Sequence, residues 1–184
     1  MGKPSKEEKI AELFYNESSI QWHFEEIVRK VNMSRDKVNK WLHKFEKEEI
    51  ILKIKNKGEM PYYVGNFENV AYKNKKKIYT LNKFYNSGLL NHLASLKGAK
   101  TVIIFGSFAR SDWNSNSDID IFVYGEDDDF EKGKYENRLN REIQMFTANK
   151  SKDLKKLDKG IIQNIIKGDL VKGDIDFFEV KVNA

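Results

Sequence analysis

Most of the residues in this chain that could carry out chemistry lie in one segment, Thr101–Tyr124, which reads TVIIFGSFARSDWNSNSDIDIFVY. Asp118 and Asp120 stand two apart in it. Alternate side chains of a strand share a face, so both carboxylates project one way while Ile119, Ile121 and Val123 project the other. Two carboxylates on one side of a strand repel each other and lose hydration. A divalent cation offsets that most directly. Oxygen ligands with no nearby His or Cys select magnesium or manganese. Upstream, Gly106-Ser107 directly follows the apolar run Thr101–Phe105. A glycine at a strand-to-helix corner lets the backbone approach a ligand closely, and the N–H groups there favour an anion such as phosphate. Ser107 adds a hydroxyl. Arg110, one turn on, reaches a phosphate or a partner carboxylate. A phosphate cradle beside a metal-holding Asp-x-Asp is what phosphoryl or nucleotidyl transfer requires.

The order Gly-Ser, a ten-residue gap, then Asp-x-Asp on a strand resembles the DNA polymerase beta nucleotidyltransferase superfamily, in particular its small minimal members. Gly106, Ser107, Ala109, Arg110, Ser117, Asp118 and Asp120 match that pattern in place, and Ser111 stands where glycine is usual. The resemblance covers about residues 97–150. It implies a bound NTP, ATP by resemblance, held at Gly106, Ser107, Arg110 and Ser117, with a magnesium (or manganese) ion on Asp118 and Asp120. It also implies a third carboxylate on a later strand, as metal ligand or general base. The candidate is Glu142 in Arg141–Phe146, where alternation puts Glu142 and Gln144 on one face and Ile143 and Met145 on the other. The acceptor would be a hydroxyl. Some small members act as antitoxins that modify a partner toxin, so a protein acceptor belongs among the expected partners. Gly173–Asp176 repeats the Asp-x-Asp spelling without a glycine-serine corner and reads as an edge turn and strand. Trp113, in the polar loop, is a candidate for stacking on a base, whereas Tyr124 reads as core. Neither a Walker A loop nor a Gly-x-Gly-x-x-Gly, Gly-x-Ser-x-Gly or His-Glu-x-x-His pattern occurs.

The elements that must position these residues form three stretches. Residues 1–66 read as three helices and a hairpin. Ile10, Leu13 and Phe14 mark the first helix, and Phe24, Ile27, Val28 and Val31 the second. The third runs about Arg35–Glu49, with Ser34 as N-cap. Its apolar seam is Val38, Trp41, Leu42 and Phe45. Lys37, Lys40, Lys44 and Lys47 project from the other side. Ile50–Lys55 and Pro61–Val64 flank a turn containing Lys57 and Gly58. This pattern resembles the winged helix-turn-helix domain, which implies DNA or RNA contact through the lysine face and through Lys57 in the wing. Residues 67–97 read as one or two connecting helices with Val70, Ile78, Leu81, Phe84, Tyr85, Leu89, Leu90 and Leu93 inward and the Lys73–Lys77 run exposed. Residues 98–184 alternate strands and helices. The expected fold is therefore α+β: an N-terminal winged helix domain and a small mixed-sheet nucleotidyltransferase domain with helices packed on it.

Charge agrees with that division. Residues 1–100 hold 20 Lys and Arg against 12 Asp and Glu, net +8, and residues 101–184 hold 13 against 16, net −3. With no cysteine, disulfides, thiolate zinc sites and cysteine nucleophiles are excluded. The absence of a long apolar run or an apolar leader makes a cytoplasmic chain without membrane contact the expectation. The main alternative is a DNA-binding regulator or antitoxin-like module whose transferase domain senses nucleotide or is inactive.

Overall fold

The computed structural model describes residues 5–177. The chain is α+β, with helices, a three-stranded sheet and a four-stranded sheet. It divides into two compact units. One takes the chain up to Thr80 together with Ser111–Asn116. The other takes Leu81–Arg110 and the residues from Ser117 onward.

In the first unit, α1 (Lys6–Asn16) opens on a capping box. The Ser5 hydroxyl accepts from the Glu8 amide, and the Glu8 carboxylate accepts from the Ser5 amide. Then come β1 (Trp22–His23), α2 (Phe24–Val31), α3 (Arg35–Lys47), β2 (Ile51–Ile54) and β3 (Tyr62–Gly65). The strands pair antiparallel in the order β1-β3-β2. The expected seams bury Ile10, Phe14, Ile27, Val31, Val38, Leu42 and Phe45. Ser34 stands at the N-cap of α3, although its side chain makes no capping bond.

Two helices follow, α4 (Val70–Ser87) and α5 (Leu89–Ser95). The inward face of α4 differs from the expected one. Val70 and Tyr85 are 69% and 62% exposed, and Ile78 and Leu81 also face out. Tyr72, Lys76, Tyr79 and Thr80 are buried instead, Lys76 to 2% exposure inside the lysine run expected to be solvated. The reason lies in partners. A tyrosine ring or a lysine stem packs like a hydrocarbon if its polar tip can be satisfied. The Tyr72 hydroxyl donates to the Phe14 carbonyl at 2.8 Å. The Lys76 ammonium donates to the carbonyls of Tyr15 at 2.8 Å and Trp113 at 2.5 Å, and sits 4.3 Å from the centre of the Trp113 ring. Trp113 is only 3% exposed, stacks on Tyr79 and donates from its indole N–H to the Thr80 hydroxyl at 2.9 Å. The residue expected to stack on a base is thus a core residue of this unit. Loop 111–116 enters on Ser111, whose φ of +63° is the left-handed conformation that glycine adopts most easily.

The second unit runs β4 (Ala99–Phe105), α6 (Gly106–Arg110), β5 (Ile119–Gly125), α7 (Lys132–Leu139), β6 (Ile143–Ala148), α8 (Ser151–Leu154), α9 (Lys159–Ile166) and β7 (Asp169–Lys172). The sheet order is β6-β5-β4-β7. β4 is antiparallel to both β5 and β7, while β5 and β6 are parallel and joined by the α7 crossover. Val102–Phe105 and Ile121–Val123 are buried without interruption, as befits central strands covered on both faces. One face packs Ile103, Phe105 and Phe122 against Ala148, Leu154 and Ile165. The second Asp-x-Asp lies past the end of β7. Asp174 and Asp176 are exposed there, with the Asp176 amide donating to the Asp174 carboxylate in a local turn. Gly173–Asp176 thus holds the expected turn, but the strand expected there ends at Lys172.

Lys76→Ala should destabilise the protein by roughly 3 kcal/mol, because it removes a buried charged donor and leaves two carbonyls unsatisfied. Urea unfolding followed by circular dichroism measures this. A loss under about 1 kcal/mol would mean that the ammonium is not a structural keystone.

Candidate active site

Antiparallel pairing of β4 with β5 sets Phe105 opposite Asp120. The next residue, Gly106, turns out of the strand with φ +72°. A Cβ built on it would lie 2.0 Å from the Asp120 Oδ2 and 3.0 Å from its Cγ. No side chain fits that gap, so glycine is required by space as well as by backbone angle. Ser107 follows, half-buried, at the start of α6. That helix has five residues, so any anion held here relies on the corner's own N–H groups more than on a helix dipole.

Asp118 immediately precedes β5 and Asp120 is its second residue. Both are half-buried. Burial, and next the charge of Asp118, push the Asp120 carboxyl above the usual carboxylate range, while Arg110 opposes the rise. Arg110 is exposed, and its Nη1 also reaches the Asn164 side-chain oxygen at 3.4 Å. The Ser117 carbonyl accepts from Arg141 Nη1 at 3.3 Å. Gly106, Ser107, Arg110, Ser117, Asp118 and Asp120 are therefore assembled at one end of the β4–β5 pair.

Glu142 is placed differently from the expected third carboxylate. It precedes β6, and its carbonyl accepts from the Ile119 amide at 2.9 Å. Its side chain is exposed and lines an open cavity of about 610 Å³ with Lys132, Glu136, Asn137, Asn140 and Arg141. The side chain that meets the aspartates is Gln144. It lies opposite Asp120 in the parallel register, and its Nε2 donates to the Asp118 Oδ2 at 2.9 Å. The register is fixed at the start of β6, where the Glu136 carboxylate accepts from the Ile143 amide at 3.0 Å and Asn140 turns the chain with φ +51°. Among the described residues, no three acidic or histidine side chains are grouped as a metal cage would need. Sequence alternation alone puts both Gln144 and Glu142 on the aspartate face; the hydrogen bond to Asp118 singles out Gln144.

The donor set can be tested for fit to a cation. Two oxygen-only carboxylates, half-buried and mutually repelling, suit a magnesium ion. That ion is commonly held by one or two carboxylates, with phosphates and waters completing its shell.

On the first unit, Lys37, Lys40, Lys44 and Lys47 are exposed along α3 and Lys57 at the hairpin turn. Lys44 pairs with Glu7 at 3.1 Å and Glu48 at 3.7 Å and lies over the Trp41 ring. Among the described residues, no ion pair joins the other four.

Residues 89–176 match the family model described as polymerase beta, nucleotidyltransferase. The matched segment is just under half of the chain and takes in α5 and all strands of the second sheet. This similarity suggests nucleotidyl transfer in general. Comparison with curated proteins and with solved structures gives no match. No helix is long and apolar enough to cross a membrane among the described residues.

Asp120→Asn should raise the unfolding temperature of the ligand-free protein at neutral pH by a few degrees. Its carboxyl titrates higher when folded than when unfolded, so its ionisation destabilises the fold above the folded pKa. That penalty shrinks as pH falls through the folded value and vanishes below the unfolded one, about 3.9. Melting curves of both proteins between neutral and acid pH should therefore converge on acidification. Identical midpoints at every pH would contradict this account of the pair.

Proposed function

We propose that this chain is a magnesium-dependent nucleotidyltransferase that moves a nucleoside monophosphate from an NTP, ATP by resemblance, to a hydroxyl acceptor. The observation that supports this most is the Gly106 backbone lying against Asp120, with Asp118 beside it. The Ser107 hydroxyl and the corner N–H groups bind the triphosphate, and Arg110 and Ser117 flank it. Asp118 and Asp120 would hold magnesium or manganese, which when bound supplies Lewis-acid stabilisation of the phosphoryl oxygens. The acceptor enters from the cavity beside Glu142. Its oxygen forms a bond to the α-phosphorus, the bond from that phosphorus to the bridging oxygen of the β-phosphate breaks, and pyrophosphate leaves. The proton of the acceptor hydroxyl goes to the Glu142 carboxylate. A partner toxin is one candidate acceptor.

The test is transfer of label from α-labelled ATP in the presence of magnesium, comparing wild type with an Asp118→Ala/Asp120→Ala variant. Transfer should fall at least about a thousandfold, because the cation's contribution is several kcal/mol. Equal transfer by both proteins would remove the catalytic claim. Nucleotide binding without transfer in the wild type would favour the sensor reading.

The first unit is proposed as a winged helix that binds nucleic acid through α3 and the hairpin. Lys37, Lys40 and Lys47 are exposed and, among the described residues, joined to no acidic side chain by an ion pair, which supports that use. Replacing all three by Ala should weaken binding to duplex DNA or RNA uniformly across sequences. The log–log salt slope should drop by up to about three, one per lost phosphate contact. An unchanged slope would exclude this face.

A further inference from the structure

The pair Asp118–Asp120 has a third neighbour that neither the motif nor the family match assigns. Gln144 stands opposite Asp120 in the β5–β6 register, and its amide N–H donates to Asp118 Oδ2 at 2.9 Å. Exposure leaves its other atoms within reach of solvent. No third carboxylate or histidine side chain joins the pair among the described residues, and Glu142 lines the neighbouring cavity.

We infer that Gln144 is the positioning residue of this site, and that it limits the site to one divalent cation. The inference rests on the metal-binding reading of Asp118 and Asp120. A carboxylate that accepts one amide bond on Oδ2 is fixed in rotation and presents Oδ1 to a cation. Such outer partners commonly govern metal affinity by a factor of 10 to 100. The amide is neutral, so the face carries two negative charges. One dication balances them; two dications packed at the usual separation of about 3.5–4 Å need further anionic oxygens from the protein to offset their repulsion. A carboxylate at position 144 would supply one. The amide instead orients Asp118 without adding to the repulsion that already acts on Asp120.

The experiment is titration of the full chain with Mn²⁺, read from the electron paramagnetic resonance signal of the free ion, with and without a nonhydrolysable ATP analogue. Wild type should bind one Mn²⁺ in the presence of the analogue, after subtraction of an analogue-only control. Gln144→Ala should still bind one, about tenfold more weakly. Gln144→Glu should bind a second when the analogue is present. Two ions on wild type, an Ala variant within twofold of wild type, or a Glu variant that still binds one would each overturn the assignment while leaving the metal site itself standing. Mn²⁺ binding by none of the three proteins would overturn the metal reading beneath it, and the assignment with it.

Discussion

The contact between the Gly106 backbone and the Asp120 carboxylate governs how this site is built. Pairing of Phe105 with Asp120 brings the chain out of β4 directly over the carboxylate, and the space left is smaller than a methyl group. The glycine-serine corner and the acidic strand are therefore not two features that would have to find each other when a ligand arrives. They are one packed object, fixed by the same ladder of hydrogen bonds that holds the two most buried strands. Preorganisation of this kind matters because dipoles and charges that need not move at the moment of reaction stabilise developing charge most effectively. It also has a cost: burial and repulsion raise the Asp120 carboxyl, a penalty that the fold carries and that a bound cation would relieve.

A second buried charge shows the contrast. Lys76 is more deeply enclosed than either aspartate, yet its ammonium is met by two carbonyls and an aromatic face belonging to the chain itself. That arrangement is complete, and it ties α4 and loop 111–116 into one unit. The aspartates are met by an amide and by the field of Arg110, which leaves their mutual repulsion only partly offset. The same desolvation argument thus separates a charge satisfied within the chain from a pair whose unoffset repulsion is what the proposed function would use.

What the sequence showed and what it hid follow from the same physics. β4 and β5 were legible because continuous burial of β-branched residues leaves a strong local trace, and the glycine-serine corner and Asp-x-Asp are short motifs whose spacing is local. The inward face of α4 was not legible. Only Phe84 of the expected inward residues on α4 is buried; the rest of its buried side is Tyr72, Lys76, Tyr79, Thr80 and Ser87, residues that hydropathy reads as amphipathic or polar. Their burial depends on partners elsewhere in the chain: a carbonyl on α1, and a tryptophan in a loop more than 30 residues downstream. Trp113 differs from expectation for the mirror reason: its loop is polar in sequence, but Lys76 and Tyr79 beneath it make it a buried anchor. Ser111, by contrast, was flagged as standing where glycine is usual, and its positive φ shows why glycine suits that place.

Glu142 and Gln144 carry this reasoning furthest. Alternation puts both on the face that bears the aspartates, so pattern alone cannot choose between them. The hydrogen bond from Gln144 to Asp118 makes the choice, within a parallel register bounded by the end of α7 and the start of β6: Asn140 in the left-handed conformation, then Glu136 accepting from the Ile143 amide. A shift of two residues would set Glu142 opposite Asp120 and carry Gln144 on to Phe122, withdrawing the amide that steadies Asp118. The crossover helix thus acts on the chemistry from a distance, by deciding whether an acid or an amide stands beside the aspartates. In the proposed function, holding a cation would then fall to the aspartate pair and accepting a proton to Glu142 in its own cavity.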